Sequence, residues 1–253
     1  MRVVITGAAG LIGGVLRNGL GSQYELAAVD VERIPGIEST VANMAKGGGK
    51  VWRAFRGAEV VVDLAAAPSI STPWDHIYGN NIRATINAFE AAREAGVRRV
   101  VFASSNHVTG LYEQSEPFAS IVRGDYEGLD PAEVPLLTTS HPIRPDSPYG
   151  VGKAFGEATA RYYAETHGMS ALCLRIGTCK RSNRPENARE FATLITHEDL
   201  VGLVDRCIRA PDDVSFGIFY GVSDNTWRFW DIADAREQIG YEPHDDAERW
   251  REP

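Results

Sequence analysis

An α/β fold built on a parallel, doubly wound sheet is what this 253-residue sequence predicts, and three observations predict it. Short apolar runs, too brief for helices, recur along the chain. Stretches with helical spacing of apolar residues lie between them, and the first run enters its helix through a glycine-rich turn. In order, residues 2–6 (RVVIT) form the first strand and Gly7-Ala8-Ala9-Gly10-Leu11-Ile12-Gly13 opens a helix. Further strands are expected at 25–29, ending on Asp30; at 59–64, ending in Ala65-Ala66-Ala67; and at 98–103, ending in Ser104-Ser105. Gly47-Gly48-Gly49 reads as a loop. The spacing of Ile82, Ile86 and Phe89 beside Ala88, Ala91 and Ala92 predicts a helix over 81–95 that Gly96 closes. Another helix is expected over 148–167, closed by Gly168, before a fifth strand at 171–176.

After residue 176 come a helix at about 197–209, a strand at 216–220 and a helix at about 230–239. The expected division is therefore a nucleotide-binding domain over 1–176 and a small C-terminal, substrate-binding appendage over 177–253 without a core of its own. Residues 112–147, with prolines at 117, 131, 135, 142 and 145, form the least regular stretch and read as a flap over the active site.

Charge narrows the function classes. Against 26 basic residues stand 34 acidic ones, a net charge of −8, which argues against nucleic acid or an anionic membrane as the main partner. No apolar run approaches the roughly 20 residues of a membrane span, and the chain opens on a strand rather than a leader, so a cytoplasmic protein is expected. Cys173, Cys179 and Cys207 form no CxxC pair; packing is their expected use, and no metal site is expected. Only four of the basic residues are Lys, at 46, 50, 153 and 180.

The turn at Gly7, Gly10 and Gly13 lets backbone N–H groups approach a pyrophosphate at the helix N-terminus. Asp30, at the end of the second strand, suits the hydroxyls of an adenosine ribose and repels a 2′-phosphate, which favours NAD over NADP, although Arg33 lies nearby. Tyr149 and Lys153 stand four residues apart at the start of a helix, hence on one face. A phenol with an ordinary pKa of about 10 becomes a base near neutrality only beside positive charge. Ser105, just beyond the fourth strand, is placed to hold the oxygen that Tyr149 deprotonates.

With ITGAAGLIG at 5–13, VVDLAAA at 61–67, Asn80-Asn81, VVFASS at 100–105 and YGVGK at 149–153, the chain resembles the extended short-chain dehydrogenase/reductase family, also called the NAD-dependent epimerase/dehydratase family. The resemblance implies a Rossmann-type sheet and catalysis by Ser105, Tyr149 and Lys153. It implies NAD held by Gly7, Gly10, Leu11, Ile12, Gly13, Asp30 and Val31 on one side. Leu64, Ala65, Ala66, Asn81, Ser104, Tyr149, Lys153 and Ile176 would complete the cofactor site. The chain departs from the family at Asp63, where His is usual, and at Asn43-Met44, where an adenine-orienting Asp is expected.

Within the family, FASSNHVTGLY (102–112), YGVGKAFGEATARYY (149–163), LRIGTC (174–179), THEDLVGLVDRCIRAP (196–211) and YGVSDN (220–225) are most similar to uronate dehydrogenases and a related group of NAD-dependent glucose-6-phosphate dehydrogenases. That resemblance implies a sugar site of Ser69, Ser105, Asn106, His107, Tyr149 and Thr178, with Arg189 gripping a carboxylate. From the residues alone, Asn106 and His107 fit a tight turn equally well, Thr178 a strand end and Arg189 a surface charge. The expected reaction is NAD-dependent oxidation of the anomeric C1 of a hexuronate to its lactone. A sugar phosphate such as glucose 6-phosphate stays open, because Lys180, Arg181 and Arg184 precede Arg189. A nucleotide-sugar epimerase or dehydratase is the alternative, opposed by Asn106-His107 where such enzymes commonly carry Asp and Glu. A non-catalytic NAD sensor is opposed by the intact Tyr-Lys pair. The resemblance also implies a homo-oligomer, paired through the helices at about 80–95 and 148–167.

Overall fold

The computed structural model describes residues 1–251. Seven parallel strands, β1 (Arg2–Thr6), β2 (Glu25–Asp30), β3 (Glu38–Val41), β4 (Val60–Asp63), β5 (Arg99–Ser105), β6 (Ser170–Ile176) and β7 (Phe216–Gly221), form one sheet in the order β3-β2-β1-β4-β5-β6-β7. From β1 the chain moves outward to β3, then returns to β4 on the other side. Strand order thus reverses between β1 and β4, and the crevice at their carboxyl ends is where ligands bind in such sheets.

The helices are α1 (Leu11–Leu20), α2 (Gly49–Ala54), α3 (Trp74–His76), α4 (Arg83–Ala95), α5 (Phe118–Arg123), α6 (Pro148–His167), α7 (Glu190–Thr193), α8 (His197–Arg209) and α9 (Ala233–Ile239). Strand side chains alternate between faces, and each face has its own core. Val3, Ile5, Leu172 and Leu174 pack against Leu16 of α1, Leu200, Leu203 and Val204 of α8 and Ile239 of α9. Val4, Val61, Ala171 and Cys173 pack against Val51 of α2, Phe89 of α4 and Tyr163 of α6. Cys173 and Cys207 are fully buried, one in each core.

The structure departs from expectation in several places. β3 is a half-exposed edge strand of Glu38, Ser39, Thr40 and Val41, with no apolar run to betray it; Arg2 grips Glu38 with both guanidinium ends at 2.7 and 2.9 Å. β7, assigned to the appendage, pairs with β6 from Ala171–Phe216 to Ile176–Gly221, and α8 packs on α1. The division at residue 176 therefore cuts the sheet, because its seventh strand arrives only after α8; the last two positions of the 177–253 region lie outside the described residues. Chain helicity before α4 begins at α3 and passes through a π-helical turn at Ile77–Ile82. α2 starts at Gly49, and α9 starts at Ala233 because Trp230 is buried in a third core instead.

That third core joins the 112–147 stretch to the C-terminal part. Phe118, Ile121, Val134 and Leu137 meet Tyr220, Phe229 and Trp230, and Leu137 exchanges backbone hydrogen bonds with Phe229 and Asp231 at 2.8 and 2.9 Å. The stretch is an ordered wall containing α5, not a structureless loop.

Candidate active site

A crevice of about 770 Å³ opens at the carboxyl ends of β1, β4, β5 and β6. Its floor is the glycine turn. Gly7 has φ +62°, the left-handed region that Cβ disfavours, and a Cβ there would lie 2.8 Å from the Leu64 carbonyl carbon. A Cβ on Gly13 would overlap the Ala8 backbone. Gly10 caps α1 without a side chain, so Leu11, Ile12 and Gly13 present the first turn of the helix to the crevice. Asp30 closes the turn by accepting from Ala9 N–H at 2.9 Å. Such a cradle fits a dinucleotide. Leu64, Ala66 and Ile176 line the same crevice, while Val31 and Ala65 line an adjoining pocket with Asn43, Met44 and Asn80.

Two expected cofactor residues have their side chains engaged elsewhere. Asn81 pins Ala67, accepting from its N–H at 2.9 Å and donating to its carbonyl at 3.2 Å, so Asn80 rather than Asn81 lines the adjoining pocket. Ser104 donates to Glu157 Oε1 at 2.6 Å, and Glu157 in turn binds Arg175 through two contacts of 2.9 Å.

Helix α6 is placed by its own sequence. Ser147 accepts from Gly150 N–H at 3.1 Å as N-cap, and Pro148 takes the first helical position. Gly150 and Gly156 face the His107 carbonyl and the Phe102 ring with no room for a Cβ, which presses α6 onto the end of β5. Tyr149, Lys153 and Ser105 are thereby gathered, all buried and all lining the crevice. Lys153 Nζ donates to the Ala103 carbonyl at 2.5 Å and lies 5.7 Å from the Tyr149 ring centre.

Burial dominates the electrostatics. It pushes the Tyr149 phenol up to about 12, eased by the Ser105 hydroxyl, and pushes Lys153 down to about 8 against the pull of Asp63. Asp63 itself is pushed up to about 6 by burial, opposed by its 2.5 Å hydrogen bond from Thr6 and by Lys153. The residue that departs from the family pattern thus supplies a carboxylate to the charge balance of Lys153.

At its other end, Ser69, Asn106, His107, Thr178 and Arg189 all line the crevice, so the structure brings the expected set together. It also gives several of them internal partners. Asn106 Nδ2 donates to the Ile176 carbonyl at 2.9 Å. Thr178 and Thr193 hydroxyls lie 2.9 Å apart. Arg189 meets Glu113 through two contacts, Nε to Oε2 at 2.5 Å and Nη2 to Oε1 at 2.7 Å. His107 Nδ1 lies 2.6 Å from Asp146 Oδ2. Glu113 and Asp146 both sit in the irregular stretch, where no spacing rule links them to their partners; the Asp146-Ser147-Pro148 helix start is the only local signal. The basic cluster disperses: Lys180 pairs with Glu186 at 2.6 Å and Glu190 at 3.3 Å, Arg184 is exposed, and Arg181 lines a separate cleft beside α1.

Residues 3–196 match the model of the NAD dependent epimerase/dehydratase family. The chain belongs to this family. Its cofactor is NAD, and the glycine cradle fits it. Among the family's members, an NAD-dependent glucose-6-phosphate dehydrogenase of Haloferax volcanii is 35% identical over 97% of this chain and 94% of that protein. An L-arabinose 1-dehydrogenase (NAD(P)(+)) of the same organism is 32% identical over 97% of each. The crystal structure of uronate dehydrogenase from Agrobacterium tumefaciens superposes with a TM-score of 0.84 at 33% identity, over 98% of this chain and 86% of that one. Among the described residues, no helix is long and apolar enough to cross a membrane.

Proposed function

We propose that this protein is an NAD-dependent dehydrogenase that oxidises the anomeric C1 of a cyclic sugar to its lactone, with hexuronates and sugar phosphates as the substrate classes to try first. One observation carries the reading: Ser105, Tyr149 and Lys153 share a crevice with the glycine cradle, and beside them lies a polar end formed by Asn106, His107, Thr178 and Arg189. The names of the three relatives, all enzymes or structures of sugar or sugar-acid dehydrogenases, support it.

In this reading Ser105 holds the C1 oxygen by a hydrogen bond and Tyr149 removes the proton from that oxygen as the lactone carbonyl forms. When bound, NAD would supply the acceptor for the hydride from C1 and a positive ring that lowers the Tyr149 pKa. Lys153 would hold the cofactor ribose and add its own charge beside the phenol. His107, fixed by Asp146, contacts a sugar hydroxyl. A nucleotide-sugar epimerase or dehydratase would need acid and base groups just after Ser105. Asn106 at that place is held by Ile176 and Arg189, which speaks against the alternative.

NADH formation tests the proposal when D-glucuronate, D-galacturonate, glucose 6-phosphate, L-arabinose and D-glucose are each offered with NAD and with NADP. Turnover of at least one sugar with preference for NAD is expected; silence on all five rejects it. We further propose a homo-oligomer paired through α4 and α6, on whose surfaces and approach Tyr78, Ile86, Val151, Phe155 and Tyr162 remain exposed.

A further inference from the structure

We infer that Glu113 sets the charge preference of the sugar pocket: by occupying the N–H edge of Arg189, it weakens the hold on an anionic sugar relative to its neutral parent. An arginine side chain has five N–H donors. Here Nε donates to Glu113 Oε2 at 2.5 Å, and Nη2 to Glu113 Oε1 at 2.7 Å and Asn106 Oδ1 at 3.1 Å. Nη1 donates to Thr178 Oγ1 at 3.0 Å and Thr193 Oγ1 at 3.4 Å. Every donor direction of the guanidinium is taken by the protein itself. Arg189 still lines the crevice, but a substrate carboxylate or phosphate finds the two-pronged edge already filled.

Displacing Glu113 is costly because the pair is largely withdrawn from water, with side-chain exposures of 27% for Arg189 and 14% for Glu113. A carboxylate pushed off its partner there loses its counter-charge and gains a like-charged neighbour in the substrate. The surrounding charges give no help: Glu190 lines the same end of the crevice, and Lys180 is already shared between Glu190 and Glu186. The polar end of the pocket therefore offers acceptors for sugar hydroxyls at least as readily as a cation for an anion.

The kinetic readout rests on the dehydrogenase reading, so the experiment includes a binding arm that does not. Wild type, Glu113→Ala and Glu113→Gln are compared for kcat/KM on D-glucuronate and D-glucose, and for calorimetric affinity of both sugars to the protein with NADH bound. In wild type the two sugars should differ by less than about tenfold, and Glu113→Ala should raise the glucuronate-to-glucose ratio by about tenfold or more. Glu113→Gln, which keeps the shape and one acceptor but drops the charge, should raise it by less; it also serves if Glu113→Ala fails to fold. A wild-type enzyme that strongly prefers glucuronate, with the ratio falling in the variants, overturns the inference, because Glu113 would then be shaping Arg189 into a clamp. If none of the proteins forms NADH, the dehydrogenase reading fails, yet a rise in glucuronate affinity on removing Glu113 still upholds the inference and an unchanged ratio overturns it.

Discussion

His107 and Asp146, 39 residues apart, meet at 2.6 Å between Nδ1 and Oδ2. The carboxylate is largely shielded, and although burial acts to raise its pKa, hydrogen bonds from His107 and Ser147 hold it below its usual value. Asp146 therefore fixes the His107 ring through Nδ1 and, in the proposed function, turns Nε2 toward a sugar hydroxyl. Asp146→Ala should raise KM for sugars more than it lowers kcat, with kcat/KM down by about tenfold or more and the NADH affinity retained. Steady-state kinetics with a separate NADH titration check this; loss of NADH affinity would make Asp146 a general support of the fold.

Tyr149→Phe should abolish turnover, because Phe has no proton acceptor to offer in the buried crevice. NADH binding, measured by fluorescence, should persist; wild-type-like turnover would end the proposed chemistry.

Lys153 ties the stability of the ligand-free protein to pH on the alkaline side. Its folded pKa of about 8 lies below the ordinary 10.5, so between those values the unfolded chain binds more protons than the folded one. Stability then rises with pH across that window. Asp63 acts oppositely: raised from 3.8 to about 6, it binds more protons in the folded state, so its contribution falls as pH climbs through that range. Subtracting the denaturation midpoints of Lys153→Met from those of wild type, pH by pH, should isolate the rise above pH 8. A flat difference would mean that Lys153 is not titrating in this window.

Gly7→Ala should destabilise the fold by about 1–2 kcal/mol for the left-handed backbone alone. The close approach to Leu64 adds to this cost and widens the cradle, so NADH affinity should fall together with Tm.

If the exposed residues of α4 and α6 form a subunit interface, Ile86→Glu combined with Phe155→Glu should yield a smaller species in light scattering. Retention of the wild-type mass would place any interface elsewhere.

What the sequence made legible was whatever is encoded locally. The strand at 2–6, the glycines at 7, 10 and 13, and the Tyr149-Lys153 pair are each specified within a few residues, and the structure gathers the glycines and the pair in one crevice. The 148–167 helix is set by Ser147, Pro148 and Gly168 in its own sequence. Partners recruited across the chain were not legible. Arg189 reads as a surface charge until folding brings Glu113, 76 residues away, against it. β3 is equally silent, since an edge strand needs no apolar run and half of its surface faces water.

Glu157 stands two turns beyond Tyr149 and one beyond Lys153 on α6, and it ties that helix to Ser104 at the end of β5 and to Arg175 of β6. Ser105, Tyr149 and Lys153 are thus mounted on one block of helix and strand ends. The polar end of the pocket, in contrast, takes Glu113 and Asp146 from a separate wall with its own small core. Under the proposed function, such a division of labour would let selection retune which sugar is accepted by altering the wall, while the groups that move the proton stay untouched.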